Sequence, residues 1–253
     1  MLKSAAFFVS CFLLFLLIRA PASVWNSVLQ AQSNQRLTLL DTEGSIWRGT
    51  ARLAVRDPES GLRIPLTPVS WSWRPVELIR ARIDWAFSVA GLPPFSLAAA
   101  PGGLNVTNLA IQLPVREVLD QIPNTVARSG WRGDFALNMD RLHCSWGMRC
   151  EGRTELFWRG AASDLFPNRN FGNYHLVVEA RADITELKLE TLNGDVRLSA
   201  DGSIKPGGVL QLQGTVEGEP AFVGRLPDVA GRWVQPTVTP GKLLFSFGSA
   251  ATQ

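Results

Sequence analysis

Between Gly44 and Phe87 apolar and polar residues alternate, and alternation sustained over that length leaves a chain few choices. In G-S-I-W-R-G-T-A-R-L-A-V-R, Trp47, Gly49, Ala51, Leu53 and Val55 share one parity, while Arg48, Thr50, Arg52 and Arg56 share the other. A period of two sends each set to its own face of a strand, one apolar and one charged. The pattern returns with Val69, Trp71 and Trp73 opposite Ser70, Ser72 and Arg74. It returns again with Ile83, Trp85, Phe87 and Val89 opposite Arg82, Asp84 and Ser88. Between these two strands stands Pro75, whose fixed φ and missing N–H suit a first helical position, with room only for a short helical turn from Val76 to Ala81. The block reads strand, strand, helical turn, strand.

The rest of the chain continues in that style. Candidate strands are Leu37–Leu40, Ser45–Val55, Arg63–Leu66, Val69–Trp73, Arg82–Val89, Phe95–Ala98, Leu104–Val106 and Leu109–Leu113. They resume with Gly133–His143, Arg153–Arg159, Tyr174–Ala182, Asp195–Ala200, Gly208–Glu217 and Lys242–Phe247. Short helices are expected after Pro75, at Val115–Gln121 between Pro114 and Pro123, and near Leu226–Ala230. Trp-Arg-Gly recurs at Trp47, Trp131 and Trp158, each beside a strand, where Gly lets the backbone bulge while Trp packs on one face. The expected fold is mainly β: an N-terminal transmembrane helix, then an antiparallel, strongly twisted β-sheet or sandwich domain with a few short helices.

Residues 1–25 read as a membrane anchor. Ser4 to Ile18 carry no charge and are apolar all round, which is not the pattern of a helix with one wet face. At about 1.5 Å per residue this stretch reaches only ~22 Å of a hydrocarbon core ~30 Å thick, a gap closed if Arg19 snorkels and Trp25 lies at the interface. The anchor residues are Phe7, Phe8, Phe12, Leu13, Leu14, Phe15, Leu16, Leu17 and Ile18. Ala20-Pro21-Ala22 has the small-x-small form of a signal cleavage site, so a cleaved leader is the competing reading. Either way the bulk of the chain is expected outside the cytoplasm. The domain plan is anchor 1–25, linker 26–36 and a periplasmic β domain 37–253, with a candidate division into two similar halves near 123–130.

Charge and chemistry narrow the function by subtraction. Twenty-five basic residues against 22 acidic leave +3, and the arginines alternate along strands, so no nucleic-acid footprint is expected. The two histidines, His143 and His175, sit in no metal-protease context, and neither a nucleophile elbow nor a phosphate-binding glycine loop occurs. No enzyme, metal or cofactor is expected. Cys11 lies within the apolar stretch, whereas Cys144 and Cys150 flank S-W-G-M-R, the spacing of a hairpin whose mouth a disulfide could bridge. Two reduced thiols beside a turn are the alternative.

The order of a short apolar N-terminus, G-S-I-W-R-G, S-W-R-P-V-E-L-I-R-A-R-I, a Pro-flanked helix at Leu113–Pro123 and a Gly-Asn-Tyr strand start near Phe171–Leu176 resembles the type II secretion system protein N family. The resemblance implies a bitopic inner-membrane protein with a small cytoplasmic tail and a periplasmic domain. Its partners would be other components of the machine that carries folded exoproteins across the outer membrane. It supplies no catalytic residues, and the Cys144–Cys150 loop is not part of its pattern. Trp47, Trp71, Trp73 and Trp85 are candidate core or partner-facing aromatics. A second function class stays open, in which the apolar sheet face is a concave groove for lipid, as in AsmA-like envelope proteins.

Overall fold

The computed structural model describes residues 8, 12, 15–16, 18–56, 61–119, 130–147, 149–166, 169–205, 209–226 and 233–248. Contacts divide the chain into two units, 1–101 and 102–253. The division near 123–130 expected from sequence falls almost wholly outside the described residues.

The first unit is an antiparallel meander: β1 (Leu37–Gly44), β2 (Arg48–Arg56), β3 (Arg63–Trp73), β4 (Ile83–Val89) and β5 (Phe95–Ala100). The predicted segments Arg63–Leu66 and Val69–Trp73 are one strand. Pro65 and Pro68 do not break it because β3 pairs with β4 only from Val69 onward. Its first half has a single neighbour, where a missing N–H costs least. Pairing aligns Gly49, Trp71, Phe87 and Phe95 in one row and Trp73, Trp85 and Leu97 in another, so the aromatics share a face as their parity requires. Asp84 departs from the expected solvated face: it is buried, and Arg82 lies 3.8 Å away.

Much of the 26–36 stretch, read as a linker, is helical. Helix α1 (Ser23–Gln32) presents Trp25, Asn26, Leu29 and Gln30 to the sheet. Asn26 Oδ1 accepts from the Leu39 N–H at 2.8 Å, and Gln30 donates to the Thr38 hydroxyl at 3.0 Å. An outer strand exposes unpaired amides; here a side chain from α1 occupies one of them. Of the anchor residues, Phe8, Phe12, Phe15, Leu16 and Ile18 are helical and exposed, while Phe7, Leu13, Leu14 and Leu17 lie outside the described residues. Among the described residues no helix is long and apolar enough to cross a membrane.

The second unit is also antiparallel: β6 (Gly103–Pro114), β7 (Trp131–Ser145), β8 (Cys150–Ser163), β9 (Asn170–Arg181), β10 (Ile184–Asn193), β11 (Arg197–Lys205), β12 (Val209–Glu217), β13 (Val234–Pro236) and β14 (Lys242–Phe247). They lie in chain order except at the far edge, where β14 sits between β12 and β13. Short helices α2 (Val115–Leu119) and α3 (Pro220–Val223) interrupt them. The helix expected near Leu226–Ala230 falls mostly outside the described residues. Strands β10 and β13 are additional to those expected; in β10 the sequence I-T-E-L-K-L-E-T-L-N alternates as a strand does.

Register turns the alternation of nine strands into a two-sided sheet. One row runs Ile111, Leu137, Leu156, Leu176, Leu189, Ala200, Gly214 and Phe245. The opposite face carries rows such as Arg141, Arg153, Glu179, Glu186, Ser203 and Gln211. At one end of the apolar face Phe171, Tyr174, Val196, Val216 and Leu243 are buried beneath Phe222 and Val223 of α3.

Candidate functional site

At one end of the first unit three indoles converge on a turn. Trp25 and Trp85 both donate their ring N–H to the Ile46 carbonyl at 3.0 Å, and Trp71 donates to the Ser45 carbonyl at 3.0 Å. The same turn is held from its other side, since the Ile46 N–H donates to Ala20 O and Pro21 forms an antiparallel bridge with Ser45. Gly49 permits this packing. A Cβ there would stand 2.4 Å from the Glu43 carbonyl and 2.6 Å from the Trp71 ring. Ala20 and Ala22, just after the apolar N-terminal stretch, are thereby fixed to the sheet by backbone hydrogen bonds.

The four aromatics singled out from sequence meet here. Trp71 is 3% exposed and lies in a core with Ala22 and Ala51, against which Trp25, Trp85 and Phe87 pack. Trp85 is 5.5 Å from Trp25, edge to face, and 6.0 Å from Trp47, stacked. Trp47 and Trp73 rings lie 4.9 Å apart. Such pairs add to the burial energy of the rings by about 0.5–1.5 kcal/mol each. Trp25, expected at the membrane interface, packs instead on this core, and its spacing of three from Ala22 and four from Leu29 is the sign of that helix face.

The other two Trp-Arg-Gly sites differ from the first. Gly133 and Gly160 adopt positive φ at facing irregularities in β7 and β8, and the Trp158 ring N–H donates to the Arg132 carbonyl at 3.1 Å. Trp131 and Trp158 meet edge to face at 5.3 Å. Beside them the Tyr174 hydroxyl lies 2.9 Å from the Val196 carbonyl and 3.2 Å from that of Phe171. Burial, with a smaller push from Asp195, raises the Tyr174 phenol well above its ordinary pKa.

A concavity of about 890 Å³ lies on the second unit, lined by charged side chains including Arg153, Glu179, Glu186 and Lys188 together with apolar ones including Val177, Leu187, Leu212 and Phe247. His175 stacks on Phe157 at 4.4 Å and stands 3.4 Å from Glu155 and 3.3 Å from Glu190. The Arg181 guanidinium, hydrogen-bonded to Glu179 and aided by Arg153, holds the Glu179 carboxyl below the usual carboxylate range. The groove expected for lipid is apolar and concave; this concavity mixes charged and apolar side chains. Among the described residues no cluster of His, Cys, Asp and Glu could hold a metal ion. Cys144 and Cys150 face each other across the β7–β8 hairpin and are joined by a disulfide.

Two antiparallel β units, the first with its indoles bonded to the β1–β2 turn and the second with a charged face opposite an apolar one, define an all-antiparallel β protein. A sequence model of the family described as type II secretion system (T2SS), protein N, matches residues 35–228. The chain belongs to that family, and it is an accessory component of type II secretion. The match begins just before β1 and ends beyond α3, so it spans parts of both units and leaves the apolar N-terminus outside. No curated protein and no solved structure matched the chain.

Proposed function

We propose that the protein is held in the inner membrane by its apolar N-terminal stretch ahead of Ala20, places its two β units in the periplasm, and supports export of folded exoproteins as a structural component of the secretion machine. The observation that carries this reading is the fixed junction at Ala20–Trp25. Backbone bonds from Ala20 and Ala22 to Ile46 and Gly44, with the Trp25 indole bond, leave no loose tether between the apolar stretch and the sheet. An anchor joined in this way orients a sheet with respect to the bilayer, which suits a scaffold. The family supplies the process, and its other components supply the partners.

Deleting the gene and assaying exoprotein export tests the role. Export should fall, and unchanged export with a defective lipid barrier would overturn the reading. The anchor is expected uncleaved; a mature chain beginning at Ser23 would refute that part alone.

A second reading, lipid binding, draws support from the apolar rows of the second unit, where Leu137, Leu156, Leu176 and Leu189 are only half-buried. Acyl chains would lie on that face and not in the polar concavity. Lipid recovered from the chain purified without detergent extraction of its β units would favour it, and lipid-free protein would exclude it.

A further inference from the structure

The connection between β3 and β4 is built the wrong way round for a segment facing water. It forms a 3-10 helix, Pro75–Arg80, started by Pro75 and ended by Ala81 in the left-handed region at φ 53°. Its three large apolar residues point outward: Val76 is 71% exposed, Leu78 49% and Ile79 88%. Its one acid is turned inward. Glu77 lies 3.3 Å from Arg80 and 4.0 Å from Arg82, its side chain only 20% exposed. A helix on an aqueous surface shows its charge and hides its aliphatics. This one neutralises its carboxylate internally and offers Val, Leu and Ile as a patch, the composition of a segment that meets an apolar phase.

Topology says which phase. In an antiparallel meander the β1–β2 turn and the β3–β4 connection lie at the same end, and here they are bonded, the Trp73 N–H donating to Trp47 O at 2.6 Å. That turn also carries the N-terminal junction through Ile46 and Ala20. Ala20 therefore joins the sheet at the end where Val76, Leu78 and Ile79 project. Arg19, Arg48 and Arg74 are exposed at this end, and with Arg80 and Arg82 they outnumber Glu43, Glu77 and Asp84. Arginines beside an aliphatic patch match the two layers of a bilayer surface, anionic headgroups above acyl chains.

We propose that Pro75–Arg80 is a second membrane contact, inserting Val76, Leu78 and Ile79 into the headgroup boundary of an anionic bilayer next to the anchor. The proposal rests on the membrane reading of the apolar N-terminal stretch. Together the two contacts would hold the first sheet's tilt on the membrane more firmly than the anchor junction alone.

The test uses the full chain, with Cys11→Ser, in vesicles of phosphatidylethanolamine and phosphatidylglycerol. An environment-sensitive fluorophore is attached at Ile79→Cys or, in a separate protein, at Leu62→Cys. Leu62 precedes β3, at its opposite end, about 33 Å away at ~3.3 Å per residue. Label taken up by the parent without an added cysteine is subtracted. A spin-labelled lipid carrying its quencher near the headgroup should quench the probe at 79 at least three-fold more than the probe at 62. Replacing phosphatidylglycerol with a neutral lipid should reduce the difference. Equal quenching at the two positions, in a chain that resists alkaline extraction, overturns the second contact and leaves the anchor standing. A blue-shifted but unquenched probe at 79 means a protein partner covers the patch, and also overturns it. Release of the chain by alkali refutes the anchor and the second contact together.

Discussion

Replacing Tyr174 by Phe removes a single oxygen from the second unit, and its cost can be worked from the structure. Tyr174 is the sole tyrosine and is 3% exposed. Its one hydroxyl proton is shared between two carbonyls, with Val196 O the nearer at 2.9 Å. Phe171 O keeps the Val196 N–H at 3.1 Å in the variant, so Val196 O is the group that chiefly loses. Phe retains the ring that packs on Trp158 at 5.8 Å, so no cavity opens. The net loss of one bond plus an under-satisfied buried carbonyl comes to about 1–3 kcal/mol. For a chain of this size that lowers Tm by roughly 2–4 °C per kcal/mol, hence about 2–12 °C by calorimetry or circular dichroism.

The same residue gives an independent check in alkali. Burial, then Asp195, raises the phenol pKa in the folded state above its ordinary value of about 10. The folded state thus favours the neutral phenol, and the stability this contributes is complete below about pH 10 and is lost as pH rises from there toward the folded value. The advantage of the wild type over Tyr174→Phe should therefore shrink above pH 10. With only one tyrosine present, phenolate absorbance follows it directly. A variant melting within about 1 °C of wild type, or a phenol titrating near 10 in the folded protein, would refute the assignment of a buried double-carbonyl anchor.

Gly49→Ala should destabilise the first unit by about 1–3 kcal/mol, because the added methyl meets the Glu43 carbonyl and the Trp71 ring. Unfolding followed by Trp fluorescence reads this, and an unchanged midpoint would show that Trp71 does not rest on Gly49. Cys144 and Cys150 should resist thiol labelling until a reductant is added, and labelling of both in untreated protein would discard the bridge. At the second unit's edge, hydrogen bonding to Lys242 at 2.6 Å lowers the Glu217 pKa. NMR titration should place its midpoint below that of a free glutamate, and Lys242→Ala should raise it toward the ordinary value.

How much of this was legible in advance depended on how local the cause was. Alternation at Trp47–Val55, Val69–Trp73 and Ile83–Val89 located three strands and their apolar faces, because the pleat alone dictates which side chains share a side. Pro75 announced the helical turn for an equally local reason. The expectation failed where a neighbour decides. Residues 63–73 look broken by two prolines until it is known that β3 has a free edge there. Asp84 looks solvated until the pairing with Ala98 and the fold of Arg82 against it are seen. Residues 184–193 are not among the expected strands, and pairing with β9 and β11 makes them one.

The sequence by itself determined that this chain is a series of amphipathic strands behind an apolar N-terminus, and its W-R-G and W-S-W-R-P order pointed to the secretion family. Those are properties of period and order, readable along a line. Only the tertiary structure decided what the tryptophans do, because an indole N–H finds its acceptor across 21 to 39 residues of chain, as Trp25, Trp71 and Trp85 do at Ser45 and Ile46. The same folding set the Pro75–Arg80 helix beside the N-terminal junction with its aliphatics outward. Hydrogen-bond direction and solvent exposure are relations between distant segments, and no single stretch of sequence contains them.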